Sequence, residues 1–238
     1  MLGQAINNST WKNYSSALNS YLNFIKLHKF LVEPTPDTLS LFTVYMCHHI
    51  KPISITTYLS GICQQFKPYF PQVHSACNSA LVHHTLQGCR CLSATPTTRK
   101  RALTLGNLET VVNTLTDSPN YDDHLFLAQL LTGFFALFCL REMTYPDDPD
   151  LRDPRKVSKR NSVHVSNDAF QMFLPGHKAD RFFAGNIIII RKNHHLFDLH
   201  KHFVSYLQAR NKKFPFNSPL WLTSKGVIPT RSFFIKRL

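Results

Sequence analysis

One apolar run near the middle of the chain constrains the possible folds more than any other feature. Residues 125–140 are almost all apolar, with Gln129 as the main polar interruption. A helix that is hydrophobic on all sides belongs in a protein core, and this run is shorter than the roughly 20 residues that span a bilayer. We therefore predict a central buried helix that ends at Arg141 and holds this arginine at the edge of the core.

An arginine in that position is suited to binding an anion. The planar guanidinium donates paired hydrogen bonds to a phosphate or a carboxylate. The sequence also allows a simpler role for Arg141, because the helix dipole favours a cation near a helix C-terminus.

The charge balance of the chain indicates what kind of anion it meets. The 238 residues include 27 lysines and arginines but only 14 aspartates and glutamates, a formal net charge of +13. Such an excess favours a polyanion, whose phosphates are neutralised with release of counterions. We expect nucleic acid as the partner, and not a membrane surface, because no basic amphipathic terminus is present. A basic protein with no polyanionic partner is the alternative.

The sequence offers little support for secretion, a metal or a cofactor. Residues 1–10 lack the charged start and apolar core of a signal peptide. The six cysteines show no paired framework, so we expect an intracellular protein without disulfides. The histidine doublets place neighbouring side chains on different sides of an element, which makes them poor bidentate ligands. We expect no metal, no cofactor and no small-molecule substrate.

Hydrophobic periodicity predicts two domains joined by a linker. Residues 1–93 read as a bundle of four short amphipathic helices, which are predicted to begin at Ser9 or Thr10, Asp37, Ser54 and Ser75, the last running to Leu92. Residues 94–103 are polar, proline-bearing and basic, as linkers are. Within this linker Arg99, Lys100 and Arg101 are predicted to lie along DNA phosphates, or to form a short nuclear-import signal.

Residues 104–238 are predicted to form an α+β domain. Thr104 caps a helix that continues to Leu115, and the central buried helix follows. The spacing of apolar residues then changes to every second position, which predicts three antiparallel strands at residues 162–166, 169–174 and 186–190. Helices are predicted at residues 196–210 and from Thr230 onward. The expected fold class is therefore mainly α with a small antiparallel β-sheet.

Several segments carry a family resemblance when their order and spacing are taken together. The most specific is Leu174-Pro175-Gly176-His177-Lys178-Ala179-Asp180-Arg181-Phe182, between two predicted strands. The others are residues 9–14, 57–62, 101–104, 141–144 and 151–156. They resemble tyrosine recombinases, the phage-integrase family of DNA breaking-rejoining enzymes, in the versions found in fungal mobile elements. The resemblance implies an N-terminal helical, SAM-like core-binding domain and an α+β catalytic domain.

The resemblance also implies roles for individual residues. In this family a tyrosine hydroxyl attacks a DNA phosphodiester, fixed arginines stabilise the charge that builds on phosphate oxygens, and a hairpin lysine donates a proton to the leaving oxygen. Arg141 would then be the phosphate-binding arginine and Lys178 the general acid, with Glu142 orienting Arg141 or supporting the local fold. Outside this context Lys178 could equally be a solvated turn residue.

Further basic residues are candidates for contacts with DNA outside the catalytic site. The densest group is Arg152, Arg155, Lys156, Lys159 and Arg160, and Arg181 near the sheet has the same status. The alternative is a solvated loop whose charge is offset by Asp147, Asp148, Asp150 and Asp153.

The family's pattern is incomplete in this sequence. No His-x-x-Arg occurs among the 238 residues, and no tyrosine follows such a motif. Residues 220–231 resemble the segment just upstream of it, so we expect a C-terminally truncated, DNA-binding integrase-like protein that is catalytically incomplete. One alternative is an active recombinase completed by a partner subunit, as a homo-oligomer on DNA, or by sequence beyond Leu238. Another is a non-enzymatic DNA-binding or protein-interaction module. DNA binding would place the protein in the nucleus.

Overall fold

The structure is a computed structural model that describes residues 8–93, 101–176, 180, 184–192 and 198–238. Contacts between Cα atoms divide the chain into two units, residues 1–100 and 101–238. The described residues are mainly α-helical, with a three-stranded antiparallel sheet in the second unit. The predicted class, mainly α with a small antiparallel sheet, is thereby confirmed. Among these residues no helix is both long and apolar enough to cross a membrane.

The described part of the first unit is a helical bundle. Its helices are α1 (Asn8–His28), α2 (Pro36–Cys47), α3 (Pro52–Phe66), α4 (Val73–Cys77) and α5 (Ala80–Leu92). Aromatic side chains form the centre of its core, where the Tyr21 ring packs edge-on against Phe42 with ring centroids 5.3 Å apart. Both side chains are fully buried, as expected for the apolar faces of amphipathic helices.

The predicted single helix from Ser75 to Leu92 is wrong, because α4 and α5 are separate. Ser79 adopts an extended conformation between them, and its side-chain oxygen accepts a hydrogen bond from the Val82 backbone N–H. A serine in this role caps the start of a new helix and competes with continuation of the preceding one. The sequence pattern missed this because apolar residues keep helical spacing across the break.

The second unit combines helices with the sheet. Its elements are α6 (Leu105–Leu115), α7 (Tyr121–Phe135), β1 (His164–Val165), β2 (Ala169–Leu174), β3 (Asn186–Arg191), α8 (Leu199–Lys213) and α9 (Arg231–Ile235). The strand order is β1-β2-β3, and Phe170 of β2 pairs with Ile190 of β3. Helix α8 covers the inner face of the sheet, where the rings of Phe170 and Phe203 stack with centroids 3.8 Å apart.

Helix α7 is the predicted central helix, and it ends earlier than predicted. Every residue from Leu125 to Gly133 is buried. The helix ends at Phe135, six residues before Arg141, because Leu137 takes the left-handed conformation with φ 55°. The Phe138 N–H then donates to the Gly133 carbonyl at 2.9 Å, which is the six-to-one bond of a Schellman ending. Arg141 therefore lies in the following turn and not on the helix.

A buried arginine fixes the chain between α8 and α9. The Arg210 guanidinium, only 1% exposed, donates to the carbonyls of Phe214 at 2.9 Å and Pro219 at 2.8 Å, and also to that of Asn217. The Tyr206 hydroxyl accepts the Leu222 backbone N–H at 2.9 Å. These bonds satisfy backbone groups that burial would otherwise leave unpaired, and they hold the segment that contains Trp221 against α8.

Candidate functional site

Arg141 lies in a short 3-10 turn, Leu140–Glu142, whose ends are tied by side chains. The Cys139 backbone N–H donates to Glu142 Oε2 at 2.7 Å, and the Cys139 sulfur accepts the Glu142 backbone N–H. The Thr144 hydroxyl donates to the Leu140 carbonyl at 2.8 Å. This reciprocal arrangement is a capping box, and it gives the backbone under Arg141 a defined geometry.

The Arg141 side chain itself is exposed and uncommitted. Its guanidinium makes no hydrogen bond or ion pair with any residue that the structure describes. An arginine retains all five donors in this state, so the side chain is available to a ligand.

Arg141 borders a small cleft within the second unit, which we call the Arg141 cleft. Its volume is about 40 Å³, enough for a water molecule or a single ligand oxygen and its neighbours. The side chains that matter for its chemistry are Arg141, Glu142, Tyr145, Asp153, Lys156 and Trp221. The sequence interpretation had placed Arg141, Glu142 and Lys156 among the functional residues, and the fold brings these three to one place.

Three of these six residues, Tyr145, Asp153 and Trp221, were not predicted to be functional. Tyr145 pairs with the chain before α9, donating its N–H to the Pro229 carbonyl and accepting from the Arg231 N–H, both at 2.9 Å. Trp221 is 2% exposed and its Nε1 has no hydrogen-bond partner among the described residues. The sequence signals for Trp221 were its place in a short apolar triplet and in the segment 220–231 that carries part of the family resemblance, and neither marked it as a cleft residue.

The acidic residues of the cleft are already engaged with the protein. Glu142 accepts the Cys139 N–H, and Asp153 accepts two hydrogen bonds from the Arg155 guanidinium, at 3.0 Å from Nε and 2.9 Å from Nη2. The hydrogen bonds from Arg155 lower the pKa of Asp153, so this carboxylate stays ionised at neutral pH. Partial burial raises the pKa of the Tyr145 hydroxyl, so the tyrosine stays protonated.

The other predicted DNA-binding residues differ in exposure and in the hydrogen bonds that their side chains already make within the protein. Arg152 donates to the carbonyls of Pro146 and Asp147, both at 3.2 Å, and Arg160 donates to Asn211 Oδ1 at 2.8 Å. Lys159 and Arg101 are exposed. Some guanidinium N–H groups of Arg152, Arg155 and Arg160 are therefore already hydrogen-bonded within the described part of the protein, whereas those of Arg141 are not.

Four predicted residues lie outside the described part of the chain. These are Arg99, Lys100, Lys178 and Arg181. Nearby, the Asp180 carboxylate accepts the backbone N–H groups of Ala184 at 3.2 Å and Gly185 at 2.9 Å, which shapes the entry into β3. Within the described ranges, no group of three or more histidine, cysteine, aspartate or glutamate side chains could hold a metal ion.

The sequence matches no model of a known protein family, and no curated protein is similar enough to count as a relative. The Arg141 cleft and the net charge of the chain are the features of the molecule that point to a function.

Proposed function

We propose that this protein binds double-stranded DNA, with Arg141 holding a backbone phosphate at the mouth of the Arg141 cleft. The observation that carries the proposal is the exposed, unpaired guanidinium of Arg141 on a turn capped from both ends. Lys156 borders the same cleft and adds a second cation. The net charge of +13 supports a polyanionic partner.

We also propose that the protein is tyrosine-recombinase-like, from a mobile element, and that these 238 residues by themselves bind DNA without cutting it. Cleavage in that family needs a tyrosine nucleophile and a second arginine, and these 238 residues contain no His-x-x-Arg. Tyr145 borders the cleft, but partial burial raises the pKa of its hydroxyl and so disfavours the ionised form. Binding to chromosomal DNA would place the protein in the nucleus of a eukaryotic cell.

The test of binding is a titration of labelled duplex at several salt concentrations, followed by fluorescence anisotropy. We expect affinity to fall steeply as salt rises. Each neutralised phosphate contributes about −0.9 to the slope of the logarithm of the binding constant against the logarithm of the salt concentration. Arg141→Ala should weaken binding and reduce the slope by about 1. Lys201→Ala removes an exposed lysine of α8 that does not border the cleft, and it serves as the matched control.

Two outcomes would overturn parts of this proposal separately. Affinity that is insensitive to salt would exclude DNA-phosphate binding altogether. An Arg141→Ala protein with unchanged affinity and slope would leave DNA binding possible but exclude the cleft. Incubation with a nicked suicide duplex tests the missing cleavage step: a covalent protein–DNA adduct on a denaturing gel would show an active enzyme, including one completed by a second copy.

A further inference from the structure

Gln129 is a polar residue at a buried core position, where an apolar side chain is the usual choice. It lies in the middle of α7 and is fully buried among Leu125, Ala128 and Leu130. Its Oε1 has no hydrogen-bond donor among the described residues, and a buried acceptor without a donor lowers stability. Packing does not account for the amide, which leaves the hydrogen bond that its nitrogen donates as the explanation.

The amide nitrogen of Gln129 donates one hydrogen bond, and its acceptor directly follows the turn that carries Arg141. Gln129 Nε2 donates to the backbone carbonyl of Met143 at 2.9 Å, and this bond is buried. Met143 directly follows the turn, and its own N–H donates to the Leu140 carbonyl at 3.2 Å. The bond therefore ties the C-terminal end of the Arg141 turn to the central helix.

The side chain of Met143 makes a second contact with the same helix face. A Cβ atom at Gly133 would lie 2.6 Å from Met143 Cε, so the absence of a side chain at residue 133 makes room for the methionine. Gln129 and Gly133 are four residues apart and thus neighbours on one face of α7. The helix holds Met143 by its carbonyl at one site and by its side chain one turn further on.

We propose that Gln129 is a positioning residue for Arg141, with Gly133 providing the space in which Met143 is held. This inference rests on the proposed function of Arg141 as a phosphate ligand. A guanidinium forms two good hydrogen bonds to a phosphate only when its backbone is placed within roughly 0.5 Å of the productive position. The capping box sets the shape of the turn, and the Gln129–Met143 bond sets where that turn sits on the core.

The test compares two variants of α7 that each remove one buried polar group. Gln129→Met keeps the volume but removes the donor to Met143. Thr132→Val removes a buried hydroxyl that has no partner among the described residues, so it is the matched control. We expect Gln129→Met to weaken duplex binding about fivefold, the effect of one hydrogen bond, and Thr132→Val to leave affinity unchanged. Both proteins should unfold thermally near the temperature of the unsubstituted protein.

A double-mutant cycle separates positioning from general damage. If Gln129 acts through Arg141, Gln129→Met should cause no further loss of affinity in an Arg141→Ala protein. A loss that simply adds to that of Arg141→Ala would overturn the inference, as would full affinity of Gln129→Met. If Arg141→Ala itself does not weaken binding, the proposed function fails, and that result is distinct from the failure of Gln129 alone.

A second variant keeps the inference testable if Gln129→Met does not fold. Gly133→Ala raises the helix propensity of α7 but places a Cβ atom 2.6 Å from Met143 Cε, so the end of the Met143 side chain has to shift. It should therefore weaken duplex binding modestly in a folded protein, again without further effect when combined with Arg141→Ala. Unchanged affinity of a folded Gly133→Ala protein would count against the role assigned to Met143 and its two contacts.

Discussion

The carboxylate of Asp122 accepts both hydrogen bonds that Ser224 donates. The Ser224 backbone N–H lies 2.6 Å from Oδ1 and its hydroxyl 2.8 Å from Oδ2. Arg237 of the C-terminal segment approaches the same carboxylate, with Nη2 3.9 Å from Oδ2. The first turn of α7 is thereby joined to the chain that leads to α9, whose backbone in turn pairs with Tyr145 at the Arg141 cleft.

We predict that Asp122→Ala destabilises the second unit by about 2 kcal/mol, because hydrogen bonds to a partly buried charge are among the stronger ones. Ser224→Ala removes only the hydroxyl and should cost about 1 kcal/mol. Asp117→Ala is the control, since Asp117 is exposed and a surface substitution usually changes stability by less than about 0.5 kcal/mol. Urea unfolding followed by circular dichroism measures all three. Equal stabilities of the Asp122 and Asp117 variants would contradict the prediction.

Two helix starts in the second unit were predictable from sequence because they depend on local chemistry, whereas the start of α5 after Ser79 was missed. Thr104 and Thr230 were expected to begin helices, and each accepts a hydrogen bond from the backbone N–H three residues later. The end of α7 was not predictable in this way. Its apolar run continues past Phe135 without glycine or proline, yet the helix ends at Phe135 because Leu137, a residue type that seldom adopts positive φ, is left-handed.

The site was predictable only where its residues lie close together in sequence. Arg141 and Glu142 are neighbours, and the basic group that includes Lys156 follows within the same loop. Trp221 lies 80 residues after Arg141 in the chain. Tyr145 is near Arg141 in sequence, but a backbone bridge to Thr230, 85 residues later, holds it in place. Such a long-range pairing depends on how α7, α8 and the last segment pack, and no local pattern encodes it.

Two residues just after helices have a left-handed backbone conformation, and this allows a prediction about stability. Leu137 (φ 55°) follows α7, and Lys29 (φ 56°) follows α1. A side chain costs roughly 1 kcal/mol in this conformation, and glycine avoids most of that cost. We expect Leu137→Gly to stabilise the second unit by about 0.5–1 kcal/mol, and Lys29→Gly to do the same for the first.

Alanine variants are the controls for these glycine substitutions. Leu137→Ala and Lys29→Ala keep a Cβ atom and hence the backbone strain, so neither should stabilise its unit. Leu137 is 88% exposed, so trimming its side chain removes little packing. Thermal unfolding monitored by circular dichroism distinguishes the pairs. A glycine variant no more stable than the alanine variant would show that the strain is absent in solution.

The six cysteines should react with alkylating reagents at very different rates. Burial, with a neighbouring thiol, raises the pKa of Cys47 and of Cys77 to about 12. At pH 8 a thiol of pKa 12 is ionised roughly a thousandfold less than one of pKa 9, and the thiolate is the reactive form. Cys91 and Cys139 are exposed. We expect iodoacetamide to label these two first, and peptide mass spectrometry after timed quenching to find Cys47 and Cys77 last.

His202 of α8 should make the second unit sensitive to mild acid. Its pKa is lowered by burial first, and then by the positive charge of Lys201 and by His124 on α7, against an opposing effect of Asp198. The folded protein therefore binds its proton less readily than the unfolded chain, whose histidine titrates near 6.5. The stability that depends on neutral His202 is present above about pH 6.5 and is lost as pH falls below it.

A variant without this titration tests that prediction. His202→Gln should lose less stability than the unsubstituted protein between pH 7.5 and 5.5, as measured by urea unfolding at both values. His164→Gln, which replaces an exposed histidine of β1, should retain the full pH dependence. If the two variants respond to pH alike, His202 is not the group responsible.

Glu142 provides a test of whether the capping box beneath Arg141 matters for DNA binding. Glu142→Gln keeps a side-chain oxygen that can accept the Cys139 N–H, and it removes a negative charge beside the cleft. Glu142→Ala removes the charge and the acceptor together. If Glu142 only repels phosphate, both variants should bind duplex more tightly and to the same degree.

If Glu142 instead orients the turn, the two variants should separate. We expect Glu142→Gln to bind at least as tightly as the unsubstituted protein, and Glu142→Ala to bind about threefold to fivefold more weakly than Glu142→Gln, the effect of one hydrogen bond. Because both variants carry the same charge, salt affects them equally and the ratio of their affinities reports geometry alone. Anisotropy titrations at a single salt concentration measure this ratio, and a value near one would exclude an orienting role for Glu142.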